Sequence, residues 1–257
     1  MSDAGATEPD SNEGRFQHYF YPGTTVLRNW FDIRDQNVLS NAEFSMTTHR
    51  AITLPSVPFT VDGFKAVHQH LFQDLYPWAG EFRKANMSLG GMVEFAPWWT
   101  LEDSAHRIFA AFNRHNREIP PTTIEDVGIR ASRMVGALNR MHPFREGNGR
   151  TMRSFLSSWT MEQGYRVDFE YFPHDEWVDA SAKAYHQNYE PMEELIGSQH
   201  GVALRREADE QAEDRIRRMR NRGKDRQRGN GRDGRHRSVG SDETDPSGPG
   251  TGPDLSD

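Results

Sequence analysis

The sequence predicts an all-α domain, mostly helical, with one small β-hairpin and a charged tail. In several long stretches, apolar residues recur at spacings of three, four and seven, the period of an amphipathic helix. A short segment around Gly90-Gly91 has β-like character instead, and paired glycines favour a tight turn. Beyond about residue 200 the apolar pattern gives way to charged residues, Gly, Pro and Ser.

The helices are predicted from residue 61 to residue 199. The first has its apolar residues between Val61 and Leu75, and Pro77 ends it. Thr122 and Glu125 form a plausible capping box for a helix that continues to Met141. The same spacing predicts helices after Thr100 and over residues 150–163, 174–187 and 191–199.

The composition limits the classes of function. A chain of 257 residues suffices for one substantial core or two small ones. With 35% hydrophobic and 27% charged residues, part of it is expected to be unfolded. The net charge of −7 argues against general binding to nucleic acid or anionic membranes. The absence of cysteine excludes disulfides, thiolate metal sites and a cysteine nucleophile.

The two ends are predicted to be disordered. Residues 1–14 are small, polar and acidic, without the apolar run of a signal peptide. Since no stretch approaches the ~18 apolar residues of a membrane span, we expect a cytoplasmic protein, or one exported without an N-terminal signal. Residues 200–257 form a tail in which Arg215–Arg237 carries eleven Lys or Arg and two Asp. We interpret it as mainly a solvated segment, with weak nucleic-acid contact or a secretion or docking signal as alternatives.

The segment from His142 to Arg153 contains a glycine-rich turn followed by a helix N-terminus, an arrangement that favours an anion. Arg150 and Arg153 add positive charge suited to phosphate oxygens. Glu146 is a hard oxygen ligand of the kind Mg²⁺ prefers. His142 has the pKa of a base that works near neutral pH.

Each of these residues also has a purely structural interpretation. A histidine before proline is more often a helix end or a core residue, and Gly-Asn-Gly is more often only a turn. The two arginines could form a solvated face with Glu146, and Phe144 is expected to be a core anchor without a catalytic role. The order and spacing of the set favour the functional interpretation.

That order resembles the signature of the Fic family, which is His-Pro-Phe, any residue, Asp or Glu, Gly-Asn-Gly-Arg, two residues, and Arg. Every fixed position is matched between His142 and Arg153, with Glu146 in the acidic position. The resemblance covers about residues 16–199. It includes residues 21–29, which resemble the start of many Fic domains, residues 76–83, which resemble the lead into the active-site flap, and residues 90–97, which resemble the flap itself.

The resemblance implies a Fic fold over residues 15–199 and the activity of a protein adenylyltransferase. Such enzymes transfer AMP from ATP to a Tyr, Ser or Thr hydroxyl of a target protein and release pyrophosphate. The target protein would dock on the hairpin flap, here about residues 86–97, by strand-like pairing. A toxin or effector type is expected, and a purely structural hairpin is the alternative for the flap.

The resemblance also implies a role for each motif residue. His142 would be the general base, and Glu146 would hold Mg²⁺ against the α- and β-phosphates of ATP. The anion hole would be formed by Gly147, Asn148 and Gly149, with Asn148 near the α-phosphate. Arg150 would bind the β-phosphate and Arg153 the γ-phosphate.

Gly149 bears on which group is transferred. In the related Doc kinases a lysine stands at this position, and the nucleotide binds inverted, so that phosphate is transferred. Glycine therefore favours nucleotidyl transfer. Two alternatives stay open: a Fic-fold transferase with another donor (UMP, GMP, phosphocholine or phosphate transfer), and an inactive interaction module.

Many Fic enzymes are inhibited by a helix that bears Ser or Thr, three residues, Glu, and then Gly or Asn. Glu13-Gly14 fails this pattern because Pro9 stands four positions before the glutamate, and Glu146-Gly147 belongs to the motif itself. The pattern occurs nowhere else in the sequence. This resembles members with a separate antitoxin, so we expect Arg153 to be covered by another protein or not at all.

Overall fold

The structure, a computed structural model, describes residues 11–91, 93–167, 169 and 172–197. Within these residues the predicted helical fold with one hairpin is confirmed. The helices are α1 Asn12–Gln17, α2 Gln36–Ile52, α3 Val61–Phe72, α4 Leu101–Glu118, α5 Ile124–Met141, α6 Asn148–Glu162, α7 His174–Tyr185 and α8 Glu190–Gly197, and the strands are β1 Ser88–Leu89 and β2 Val93–Glu94. None of these helices is long and apolar enough to cross a membrane.

The predicted capping box of α5 is wrong by one residue. The helix is capped by Thr123, whose hydroxyl accepts from the Asp126 backbone N–H at 3.1 Å. The N–H and the hydroxyl of Thr122 both donate to the Asp126 carboxylate, at 2.9 and 3.0 Å. Asp126 thus replaces Glu125 as the acidic partner, because its side chain reaches both threonines.

The N-terminal boundary also differs from the prediction. The first helix begins at Asn12, within the predicted leader of residues 1–14, because the Ser11 hydroxyl caps it by accepting from the Gly14 N–H at 3.1 Å. Residues 1–10 of the leader and the predicted tail from residue 200 lie outside the described residues.

Helix α2 was not predicted from the sequence. Asp35 caps it by accepting from two backbone N–H groups, at 2.9 and 3.0 Å. Only Leu39 and Thr47 are buried along its 17 residues, so the sequence shows no clear apolar stripe. Most of its surface faces solvent, yet the helix contributes to the functional site described below.

The core lies between α3, α5 and α6 and continues to α7 and α8. Phe59 stacks on Phe155 with ring centroids 4.4 Å apart, at the centre of an aromatic cluster. Helices α5 and α7 approach closely at Gly136, where a Cβ atom would lie 2.5 Å from the Ala184 carbonyl oxygen. Phe144 is fully buried, which confirms it as a core anchor.

The hairpin pairs β1 with β2 in antiparallel register, Ser88 with Glu94 and Leu89 with Val93. Gly90 and Gly91 at its tip both have positive φ, 60° and 72° respectively.

 Both tip glycines lie in the left-handed region that a tight turn uses. The predicted hairpin is therefore confirmed.

Candidate active site

The motif loop, residues 142–147, joins the end of α5 to the start of α6. His142 takes a left-handed conformation with φ 42° and turns the chain out of α5. Gly147 is also left-handed, with φ 78°, and directly precedes α6. A left-handed residue therefore stands at each end of the loop. All seven predicted site residues lie in the loop or in the first two helical turns of α6.

The middle of the loop is anchored by Phe144 and His68. The two rings stack with centroids 3.9 Å apart and planes 11° apart. Nδ1 of His68 accepts from the Gly80 N–H at 2.8 Å, so Nε2 carries the proton and donates to the Glu146 carbonyl at 3.1 Å. Burial lowers the pKa of His68 to about 3, which keeps this ring neutral. This contact was not predictable from the sequence, because His68 lies on a different helix.

Asn148 closes the loop on itself. Its Oδ1 accepts from the Phe144 N–H at 2.9 Å, and its Nδ2 donates to the Phe144 carbonyl at 2.8 Å. The side chain is buried, and both of its polar ends are engaged. The amide of Asn148 thus shapes the loop, and the position near the α-phosphate that the resemblance implies for it stays a prediction.

The two motif glycines have different surroundings. A Cβ atom on Gly147 would lie 2.1 Å from Cζ of Phe72, so glycine is needed there for space as well as for its φ. A Cβ atom on Gly149 would meet nothing within 4 Å. Gly149 therefore has free space around it in the first turn of α6, the end of a helix that presents backbone N–H groups to an anion.

Arg150 is held by a carboxylate that the sequence did not predict. Its Nη2 donates to Oε1 of Glu43 on α2, and its Nη1 lies 3.4 Å from the Thr47 hydroxyl. Tyr76 donates to the other oxygen of Glu43, and the Arg150 guanidinium lies over the Phe72 ring at 4.9 Å. Helix α2 therefore sets the position of the first motif arginine.

The carboxylate of Glu146 is 42% exposed at the edge of the loop. Its Oε1 accepts from the Gly147 N–H at 2.9 Å and lies 3.6 Å from Nη2 of Arg150. Both contacts use the same oxygen. Among the described residues no group of three or more His, Asp or Glu side chains could hold a metal ion. Mg²⁺ usually needs only one or two carboxylates beside substrate phosphates, which Glu146 fits.

His142 is surrounded by the flap and by two cations. Its ring stacks on Phe95 with centroids 4.0 Å apart and planes 13° apart. Burial, together with the nearby guanidinium groups of Arg83 and Arg145, lowers the pKa of His142 to about 4. The ring is therefore neutral at pH 7 and has a lone pair that can take a proton.

Arg83 joins the base of the flap to the motif loop. Its Nε donates to the His142 carbonyl at 2.9 Å, and Nη1 donates to the Ala85 carbonyl at 2.7 Å. Nη2 donates to the carbonyls of Ala96 and Met141. The side chain is 1% exposed, and burial lowers its pKa to about 10. Arg83 lay in the segment 76–83 that resembles the family, but the sequence assigned it no role.

The two remaining arginines of the motif contact aromatic rings. Arg153 lies over the Trp177 ring of α7 at 5.9 Å. Arg145 lies over the rings of Phe16 and Phe20, at 4.9 and 4.7 Å. The N-terminal segment thus packs against the motif loop, and α7 packs beside the second motif arginine.

Comparison with known proteins identifies a matching family and several relatives. A model of the Fic/DOC family matches residues 58–159. The chain is 35% identical over 173 residues to the "probable protein adenylyltransferase y4lH" of Sinorhizobium fredii, covering 67% of this chain and 90% of that protein. It is 33% identical over 188 residues to the protein adenylyltransferase VbhT of Bartonella schoenbuchensis, covering 72% of this chain but only 39% of VbhT.

A solved structure shares the fold. The N-terminal Fic domain of a VirB-translocated Bep effector protein from Bartonella quintana, with bound ADP, superposes with a TM-score of 0.63 at 25% identity. The match covers 70% of this chain and 93% of that domain.

Proposed function

The chain belongs to the Fic/DOC family, and we propose that it is a protein adenylyltransferase that modifies a Tyr, Ser or Thr hydroxyl of a target protein. In this reaction the hydroxyl oxygen attacks the α-phosphorus of ATP, and its proton passes to His142. The new oxygen–phosphorus bond forms as the bond to the bridging oxygen breaks, and pyrophosphate leaves. The low pKa of His142 keeps its ring neutral and able to accept this proton.

The N-terminus of α6 supplies the site for the phosphates. The first N–H groups of a helix have no partner within the helix and favour an anion. Arg150 and Arg153 add positive charge, and a guanidinium has five N–H donors, so Arg150 can hold Glu43 and a phosphate together. The Asn148 side chain holds the loop, and the second N–H of its amide can donate to the α-phosphate.

Glu146 is the residue that would hold Mg²⁺, with the phosphates as the remaining ligands. The ion would neutralise negative charge on the phosphates when bound. The chain's own part is to hold this carboxylate still, through the Gly147 N–H and the neighbouring guanidinium of Arg150.

The observation that carries the proposal is the free space around Gly149, in the same motif as a neutral His142. A side chain as long as the lysine of the Doc kinases would occupy this space. Glycine leaves it for a nucleotide whose α-phosphate faces the base. This supports nucleotidyl transfer over phosphate transfer.

The test uses ATP labelled at either end of the triphosphate. The protein is incubated with Mg²⁺ and a cell lysate, once with ATP labelled at the α-phosphate and once with ATP labelled at the γ-phosphate. We expect label on protein from the α-position only, and none with His142→Ala. Label from the γ-position would show phosphate transfer, and preferred labelling from UTP or GTP would show a different donor.

We further propose that the target docks on the flap at residues 86–97, and that a separate antitoxin covers Arg153. The register of β1 and β2 supports the first proposal, since a target strand can extend a two-stranded hairpin. The second rests on the missing inhibitory pattern. Strong self-modification that no small neighbouring protein suppresses would refute the antitoxin. A cytoplasmic location stays a prediction.

A further inference from the structure

Phe95 is the flap residue that lies against His142. It directly follows β2, and its N–H donates to the Met87 carbonyl at 3.2 Å, so it continues the hairpin. Its ring is nearly parallel to the imidazole, with planes 13° apart and centroids 4.0 Å apart. One face of His142 is therefore covered by an apolar ring that belongs to the flap.

Phe95 is itself held from both sides. The Tyr185 hydroxyl of α7 donates to the Glu94 carbonyl at 3.1 Å, and its ring meets Phe95 edge-on with centroids 6.5 Å apart. On the other side, the Ala96 N–H donates to the Arg140 carbonyl at 3.0 Å. The ring thus has a fixed place relative to the ends of α5 and α7.

A catalytic base needs something that orients it. In many enzymes a third group does this through a hydrogen bond to the second ring nitrogen of histidine. Among the described residues, no hydrogen bond to the His142 ring is present, and the stack with Phe95 is its closest described ring contact. The torsion about the bond to an imidazole ring is otherwise broad.

We propose that Phe95 is a positioning residue for His142. Its ring fixes the plane of the imidazole and keeps water from one face, so the hairpin that docks the target also orients the base. This inference rests on the proposed function. Its first test, however, needs no activity.

That test is an NMR measurement on the protein without nucleotide. The carbon-bound protons of the His142 ring are assigned by their loss in His142→Ala. A parallel aromatic ring shifts such protons upfield, so Phe95→Leu, which keeps an apolar side chain but removes the ring, moves them downfield. Leu89→Ala in the same hairpin is the matched control and leaves them in place. Unchanged His142 resonances in Phe95→Leu would overturn the proposal.

The second test is kinetic. We expect Phe95→Leu to lower kcat for AMP transfer roughly 10- to 100-fold, while KM for ATP stays within about twofold, because Phe95 orients the base and not the nucleotide. Tyr185→Phe removes only the hydroxyl that holds Glu94 and lowers kcat less. A rise in KM with unchanged kcat would contradict a positioning role.

The pH profile separates positioning from simple loss of stability. Burial and the cations Arg83 and Arg145 surround His142, whose pKa is lowered to about 4. Phe95→Ala admits water, so the acid limb of kcat/KM moves up toward the ordinary pKa of about 6.5. A folded variant with an unmoved acid limb would count against the proposal. If the wild-type protein transfers no AMP, the proposed function fails, and the NMR result still decides whether Phe95 orients His142.

Discussion

Gly147 and Gly149 stand two residues apart in the same motif, and the structure predicts opposite effects of alanine at the two positions. In Gly147→Ala the new methyl group would lie 2.1 and 2.4 Å from two atoms of the Phe72 ring, which is fully buried. The residue would also have to keep a φ of 78°. In Gly149→Ala the methyl group would meet nothing within 4 Å.

The magnitudes follow from these geometries. A left-handed backbone costs a residue with a Cβ atom about 1–2 kcal/mol, and an extra methyl group in a packed core costs about 1–3 kcal/mol. We therefore expect Gly147→Ala to lower the free energy of unfolding by roughly 2–5 kcal/mol. Replacing a helical glycine by alanine stabilises by about 0.5–1 kcal/mol, the gain expected for Gly149→Ala.

Urea denaturation of the two variants and the wild type measures this difference directly. Gly147→Ala should also weaken ATP binding, because the Phe72 ring that it displaces lies under the Arg150 guanidinium. If Gly147→Ala is as stable as the wild type, or if Gly149→Ala is the less stable variant, the account of the loop is wrong.

Other side chains of the site are expected to respond to substitution and to pH. Glu43→Gln should lower the free energy of unfolding by about 1–3 kcal/mol and raise KM for ATP, because Arg150 loses the carboxylate that holds it; unchanged urea curves and unchanged KM would contradict this. Asn148→Ala should also cost about 1–3 kcal/mol, since it leaves two buried backbone groups unpaired, and Asn148→Asp, which keeps the acceptor, should cost less by the same assay. The pKa values of His68 and His142 are about 3 and about 4, below the ordinary 6.5, so the unfolded chain binds more protons between these values. The free energy of unfolding should therefore fall as pH drops from 6.5 toward 4, by up to about 1.4 kcal/mol per pH unit for each histidine. When this free energy is measured by urea denaturation at several pH values, it should depend less steeply on pH in His142→Ala than in the wild type. An equal dependence on pH in the two proteins would refute the assignment.

The motif and the helices around it were predictable because their signals are local. The apolar spacing of α3, α5 and α6 repeats within each helix, and the motif residues are contiguous in sequence. Phe144 could be assigned to the core from its place in the loop, and its full burial confirms this.

Contacts between distant segments were not predictable in the same way. Glu43 lies on α2, whose polar sequence buries only Leu39 and Thr47 and so lacks a helical stripe. His68 looked like one more residue of an amphipathic helix, and its partner Glu146 lies 78 positions away. Nothing local indicates which residues meet when the helices pack.

The capping box of α5 shows the limit of a local pattern. Two adjacent threonines preceded Glu125 and Asp126, and either pair fitted the expected spacing. The structure selects Thr123 with Asp126, because that carboxylate accepts from both Thr122 and Thr123.

The central claim is that His142 takes a proton from a target hydroxyl that then receives AMP. The most direct measurement is mass spectrometry of target peptides after incubation with ATP and Mg²⁺, with the wild-type protein and with His142→Ala. We predict that the wild-type protein adds the mass of one AMP to a Tyr, Ser or Thr side chain, and that His142→Ala adds none. The mass of a phosphate in place of AMP, or equal modification by His142→Ala, would contradict the account.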